Sequence, residues 1–412
     1  MTPITPIRER ASEPADAERI LPSGDASGAP PGDRRYRPDV EGLRAVAVVL
    51  TVAYHAGLAH MQGGYVGVDV FFVISGFVIT GMLLRERTST GRTGLADFYG
   101  RRARRILPAS TLVLVATVLM SYAWLGFLRG DAIVSDARSA VLYVANFHFI
   151  ANGTNYINSQ QPPSPLQNYW SLAVEEQFYL VFPTLFILVS RAGRRFDLKA
   201  RMAVVLTAVI GASLAWSVLQ THSNATAAYF SPFTRAWELA LGALIAVAGH
   251  RLAAIPRRWG ATASWVGLGG IVLSALIYGQ NTAYPGSAVI LPVACTGLVI
   301  AGGTAAGGAG AEHLLAWSPV RRLGKLSYPL YLWSWPLQML FMQHYARTLS
   351  VGTRIGILIL ALVLADITYS LVENPIRHAR LLVRNRWLSI ATGLTLTGCA
   401  LLVVVVERSM HP

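Results

Sequence analysis

Apolar runs recur along this 412-residue chain at about 43–60, 65–84, 106–127, 138–150, 170–190, 202–220, 234–249, 262–279, 286–302, 327–345, 353–372 and 387–406. Most have the length of about 17 to 25 residues that crosses a bilayer as a helix. The pattern predicts an all-α polytopic membrane protein. The fourth run, SAVLYVANFHFI, is short for a span and leads into NGTNYINSQQPPSPLQN, a polar loop without a basic residue. The first 35 residues, rich in Pro, Ala, Gly, Ser and mixed charge, contain no apolar core of signal-peptide type and predict a disordered tail.

Composition agrees, with 53% hydrophobic and 14% charged residues and a positive mean hydropathy. Of 35 basic residues, all but Lys199 and Lys325 are arginine, and the net charge is +14. That balance could suggest a nucleic-acid partner, but the arginines fall in short loops between apolar runs, the signature of cytoplasmic loops. If the fourth run does not cross and the N-terminus is cytoplasmic, 26 basic residues face inward and six outward; if it crosses, the tally is 15 against 17. The first arrangement obeys the rule. It gives about 11 transmembrane helices, an outer excursion over 128–169 with a short re-entrant or packed segment at 138–150, and an external C-terminus. Cys295 and Cys399 lie in separate apolar runs and form neither a disulfide framework nor a metal motif.

Ionisable groups inside spanning sequence are costly and point to function. Span one runs outward and carries His55 about five residues, roughly 8 Å, below its outer end. Span two carries Asp69 near its start, YWSLAVEEQFYLVFP carries Glu175 and Glu176, and FTRAWELALG carries Arg235 and Glu238. Counting from the outer boundary predicts that these groups share one layer around a polar cavity. On the inner side, FYGRRARRILP places Arg101, Arg102, Arg104 and Arg105 in a loop beside a helix start. Guanidinium forks bind phosphate oxygens bidentately, so the cluster suits a multiply charged phosphate.

The chain resembles the acyltransferase family 3 membrane proteins, O-acyltransferases of bacterial surface glycans, glycolipids and some macrolides. The residues that carry the resemblance are R-P-D-V-E-G-L-R-A at 37–45, Y-H at 54–55, G-V-D-V-F-F-V-I-S-G-F at 67–77, F-Y-G-R-R-A-R-R-I-L-P at 98–108, W-S-L-A-V-E-E-Q-F-Y at 170–179, S-Y-P-L-Y-L-W-S-W-P at 327–336 and V-E-N-P at 372–375. The resemblance implies a membrane domain over 36–380, with 1–35 as a cytoplasmic tail and 381–412 as an additional helix and short tail. It implies a bacterial cytoplasmic membrane location among membrane lipids, acyl-CoA (acetyl-CoA first) as donor, a carbohydrate or glycolipid acceptor, and neither a metal nor a nucleic-acid partner. It makes His55 catalytic and links Arg44, Arg101 and Arg105 to the acyl-CoA, with Arg102 beside them. Relatives commonly have histidine at the positions of Ser334 and Asn168, which concentrates acid/base work on His55. Larger members carry a soluble extracytoplasmic domain; this sequence stops six residues past its last span, so such a partner would be a separate protein or unnecessary.

Acyl transfer to an alcohol needs a base for the hydroxyl and a donor for the oxyanion. Neutral imidazole suits the first role, and Asp69, Glu175 or Glu176 could be the carboxylate that orients it. Plainer readings stand beside these. An intramembrane histidine can simply bond between helices, Arg235 with Glu238 suits a structural ion pair, Arg44 could pair with Asp39 or Glu41, and part of the arginine run is topology signal. His60 reads as interfacial and His148 as a satisfied polar group. A transporter or permease is the competing class, although the sequence shows no convincing internal repeat.

Overall fold

The computed structural model describes residues 36–58, 61–154, 162–192, 197–345 and 348–410. The tail 1–35 and His60 lie outside the described residues, as does 155–161 of the polar loop. The chain opens with α1 (Pro38–His55), α2 (Gly67–Thr90) and α3 (Leu95–Leu125), followed by α4 (Phe127–Val141), α5 (Ala145–Ala151), α6 (Tyr169–Arg191), α7 (Leu198–Ser223), α8 (Ala225–Phe230) and α9 (Pro232–Val247). The second half holds α10 (Gly249–Leu252), α11 (Arg257–Ile277), α12 (Ile290–Ala306), α13 (Glu312–Leu315), α14 (Ser318–His344), α15 (Val351–Thr368), α16 (Asn374–His378), α17 (Arg380–Arg384) and α18 (Arg386–Met410). A π-helical turn, Tyr369–Glu373, joins α15 to α16. Among the described residues there is no strand.

Seven helical stretches among the described residues are long and apolar enough to cross a membrane: Gly64–Thr90, Leu95–Leu125, Tyr169–Arg191, Leu198–Ser223, Arg257–Ile277, Val351–His378 and Arg386–Val406. Four more of the predicted spans are helical but miss that standard. The helices α9 and α12 are 16 and 17 residues long. The other two, α1 and α14, carry charged residues in their first turns and polar ones further along. The region 138–150 is not one segment. It is the end of α4 and most of α5, broken at Tyr143, whose φ is +54°. These pieces pack on the bundle, α4 against α3 and α18, α5 against α6 and α8.

Burial separates centre from rim. Helix α1 buries 12 of its 18 residues and α14 buries 15 of 27. By contrast, α15 buries only Ile357, Ala361, Ala365 and Thr368, a stripe at helical spacing with the remaining faces turned outward. The centre is held by close backbone crossings of the kind small residues allow in membranes. A Cβ on Gly76 of α2 would lie 1.8 Å from the Leu239 carbonyl oxygen of α9, and one on Gly242 would lie 1.9 Å from that of Val73, so these two helices meet backbone to backbone. Gly324 brings α14 onto α1 in the same way, against the Glu41 carbonyl.

Two boundaries move relative to the sequence reading. Helix α1 ends at His55 rather than near residue 60, because Gly57 takes a left-handed φ of +59° and its N–H, with that of Leu58, closes back onto Tyr54 and Ala53. The arginine run is not a loop. It lies in the first turns of α3, which starts at Leu95, so helical spacing decides where each guanidinium points.

Candidate active site

His55, the last residue of α1, is buried at 7% exposure. Its Nδ1 lies 3.3 Å from the Ser334 hydroxyl of α14, and that hydroxyl donates to the Tyr331 carbonyl at 3.3 Å. The Trp335 ring meets the imidazole edge to face at 4.8 Å, and the Tyr331 and Tyr54 rings stand 6.1 Å away. Tyr331, Ser334 and Trp335 are spaced i, i+3, i+4, so one face of α14 supplies three sides of the box. The box is tied to the chain before α6. The Trp335 indole donates to the Ser164 carbonyl at 2.8 Å, Asn168 Nδ2 donates to the Tyr331 carbonyl at 3.2 Å, and the Tyr331 hydroxyl donates to the Asn168 carbonyl at 2.8 Å. Arg354 holds the turn beyond His55 through the Ala56 and Gly57 carbonyls, at 3.1 and 3.0 Å.

The three candidate carboxylates are engaged elsewhere, and none is within ion-pair distance of His55. Asp69 binds Arg235 Nη1 at 2.6 Å and accepts from the Tyr284 hydroxyl; Glu238 binds the same Nη1 at 3.1 Å. Arg235 Nε donates to the Tyr229 carbonyl at 3.2 Å, and the guanidinium stands 5.0 to 5.6 Å from the Trp170, Tyr229 and Tyr284 ring centroids. Side-chain exposures of 0 to 2% make this a closed cluster, placed by the α2–α9 crossing. Glu175 instead accepts from the Ser75 and Tyr179 hydroxyls. Ser75 is six residues after Asp69, about 9 Å further along α2. The predicted single layer is therefore split: Asp69, Arg235 and Glu238 come together, while Glu175 and Glu176 lie deeper. Counting from segment ends assumes a common starting level, and α6 does not begin at that of α2.

Glu176 is 3.7 Å from Arg102, whose guanidinium lies 3.6 Å over the Tyr179 ring. Arg102 and Arg105, three apart on α3, face the bundle. Arg105 feels the charges of Arg44, Arg102 and Arg377, and Arg44 those of Glu373, Glu175 and Glu41. Among the described residues no carboxylate comes within 4.0 Å of Arg44, Arg105 or Arg377. Glu373 is delivered by the π-helical turn, and its buried Oε2 has no hydrogen-bond partner among the described residues. Arg101 points away, to Glu86 at 2.6 Å, and Arg104 to the Leu382 carbonyl and Ser389 hydroxyl. Asp39 is taken by Arg37 and Glu41 by Tyr36, so neither pairs with Arg44.

Sequence reasoning singled out His55 and the arginines but missed the side chains that complete each end. Tyr331 and Trp335 were signalled by Y-L-W-S-W-P at helical spacing. Glu373 and Arg377 were signalled by V-E-N-P and a further arginine four residues after its glutamate.

Over residues 37–370 the chain matches the acyltransferase domain family. It is similar to the peptidoglycan O-acetyltransferase OatA of Listeria monocytogenes serovar 1/2a (strain EGD-e), at 32% identity over 362 residues, covering 84% of this chain and 56% of the relative. It is similar at 32% over 355 residues to the O-acetyltransferase OatA of Staphylococcus aureus (strain NCTC 8325), covering 83% and 57%. It is also similar at 32% over 357 residues to YrhL of Bacillus subtilis (strain 168), covering 83% and 55%. The chain thus spans a little over half the length of these curated relatives. No solved structure matches it.

Proposed function

Because the chain belongs to the acyltransferase family, we propose that it is an integral membrane O-acyltransferase that moves an acyl group, acetyl in the first instance, from acyl-CoA to a hydroxyl of a carbohydrate acceptor. The names of its relatives favour a peptidoglycan or other surface-glycan acceptor. The observation that carries the reading is the relation of Arg44 to His55. They are 11 residues apart on α1, which brings them onto one helix face three turns and about 17 Å apart. Arg44 belongs to a group of guanidiniums with no carboxylate within 4.0 Å among the described residues, and His55 ends the same face in an aromatic box. That spacing suits a donor whose phosphates sit at one end and whose thioester reaches the other.

In this reading Arg44, Arg102, Arg105 and Arg377 hold the nucleotide phosphates at the cytoplasmic end, and Arg101 contributes only from the margin. The Ser334 hydroxyl has one proton and gives it to the Tyr331 carbonyl, so it accepts from Nδ1–H of His55. Nε2 then carries the lone pair and takes the proton of the acceptor hydroxyl. The oxygen attacks the thioester carbonyl, the tetrahedral intermediate collapses, and the departing thiolate takes the proton back from the imidazolium. Eleven helices cross: the seven long apolar stretches together with α1, α9, α12 and α14, whose polar residues are shielded by their neighbours. The N-terminus is cytoplasmic, and the acceptor enters from the outer side.

The test is transfer of label from acetyl-CoA to a glycan extract by the purified protein. His55→Ala is expected to lose about 100- to 10,000-fold in turnover, the usual worth of a general base, while keeping its melting temperature. Full transfer by that variant sinks the mechanism, and movement of an unmodified solute without acyl product would favour a permease.

A further inference from the structure

At the end of the bundle that holds His55, a cavity of about 400 Å³ opens between the turn after α1 and the turn after α11, lined by Gln62, Ile277, Gly279, Gln280, Asn281 and Thr282. We infer that this cavity is a binding subsite for a neutral, amide-bearing saccharide, engaging a sugar of the acceptor beyond the one that is acylated. The inference deepens the acyltransferase reading and rests on it for the acceptor's direction of entry.

Size admits a small ligand, and the chemistry of the walls narrows its class. Four of the six lining residues present an amide or hydroxyl side chain, and none is charged. Side-chain amides both donate and accept, which matches sugar hydroxyls and acetamido groups, whereas phosphate or carboxylate would go without a countercharge. In a chain of net charge +14, an opening free of arginine and lysine is unlike the inner end in kind.

The walls are also tied in place. Gly63 N–H donates to the Ala275 carbonyl at 3.1 Å, and the Tyr65 hydroxyl to the Gly279 carbonyl at 3.3 Å, which joins the two turns. The second turn is closed on itself: Gly279 N–H donates to Thr282 Oγ1 at 3.0 Å and Thr282 N–H to the Gly279 carbonyl at 3.1 Å. The backbone that carries the lining side chains therefore needs little reordering when a ligand enters. Behind the turn that Tyr65 ties to Gly279, buried rings lead back toward the imidazole. Tyr65 meets Tyr54 edge to face at 5.4 Å, and the Tyr54 and His55 ring centroids are 6.1 Å apart. The cavity and the imidazole thus lie at the same end of the bundle, two ring contacts apart, a separation of more than one sugar residue along an oligosaccharide.

The experiment is calorimetric titration of the full-length protein in nanodiscs, without acyl donor, with N-acetylglucosamine and its linear dimer to tetramer. The oligomers are expected to bind more tightly than the monosaccharide. Gln62→Ala and Asn281→Ala, on opposite walls, should each weaken the tetramer about 10-fold at an unchanged melting temperature. Equal binding by parent and variants, or no binding of any oligomer, overturns the subsite. Because the readout needs no catalysis, a parent that binds oligomers but acylates no hydroxyl acceptor would fail the acyltransferase reading alone. Active transfer with variant-insensitive binding would fail the subsite alone.

Discussion

Two groups of charge in this bundle are built on opposite terms, one closed off and one reaching solvent at Arg377. Between α2 and α9, Arg235 meets two carboxylates, a backbone carbonyl and three aromatic rings, and the cluster is closed to solvent. Around α1, α3 and α16, Arg44, Arg105 and Arg377 crowd one another, with Glu373 as the common opposite charge and no carboxylate within ion-pair distance among the described residues. Charge inside a membrane protein is expensive unless matched. The first cluster meets most of that cost within the fold, with two carboxylates on one guanidinium and, of these three side chains, only Glu238 Oε2 lacking a hydrogen-bond partner among the described residues. The second leaves positive charge in excess, which is what the proposed phosphate site requires before a ligand arrives.

The comparison breaks most sharply at Arg235. Arg235→Met removes the one cation from two carboxylates and leaves them buried without a countercharge, a change that costs about 3–5 kcal/mol for a buried pair. The expected outcome is loss of monodisperse protein on size exclusion after extraction, and a collapsed melting transition in what remains. Replacing Asp69, Arg235 and Glu238 together with apolar residues of similar volume should restore the transition. A stable Arg235→Met protein with normal melting would mean that the closed cluster is not scaffold.

The inner cluster predicts the opposite sign in stability. Arg105→Ala or Arg377→Ala removes a like charge from a crowded group, so melting should hold or rise. Each lost charge-assisted contact to phosphate, worth about 1.5–3 kcal/mol, should raise KM for acyl-CoA about 10- to 100-fold with a far smaller change in kcat. Steady-state kinetics at two salt concentrations reads this directly, since salt should raise the parent's KM more than the variant's. A fall in melting temperature like that of Arg235→Met would erase the distinction between the clusters.

Much of this arrangement was legible in the sequence, and the misses share a cause. Seven of the predicted spans recur as helices long and apolar enough to cross a membrane, and the short fourth run is two helical pieces whose break at Tyr143 leaves no hydrophobic signature. The partnership of Asp69 with Arg235 was only half visible. Both were placed at one depth, but the glycine crossing that makes them touch involves Gly76 and Gly242, two glycines among 37. Glu175 and Glu176 were put beside His55 because depth was counted from segment ends, and helices that start at different levels defeat that count. Arg102 and Arg105 differ from Arg101 and Arg104 only by rotation about α3, which no loop assignment could supply.

Arg101 offers the smallest expected effect and the finest test of that rotation. It belongs to the same run as Arg102 and Arg105, and composition does not distinguish them. In the structure its guanidinium is 2.6 Å from Glu86 at the end of α2, with a side-chain exposure of 38%, whereas Arg105 faces Arg44 and Arg377. An exposed pair of this kind contributes about 0–1 kcal/mol. Arg101→Ala should therefore change KM for acyl-CoA by less than about twofold and lower the melting temperature slightly, against the 10-fold or greater KM effect expected of Arg105→Ala. Equal effects at the two positions, measured side by side in the same membrane preparation, would mean that the donor reaches past the inner group to the rim of α3. The arginine run would then act as a continuous basic surface, and the inward turn of Arg102 and Arg105 would lose its significance.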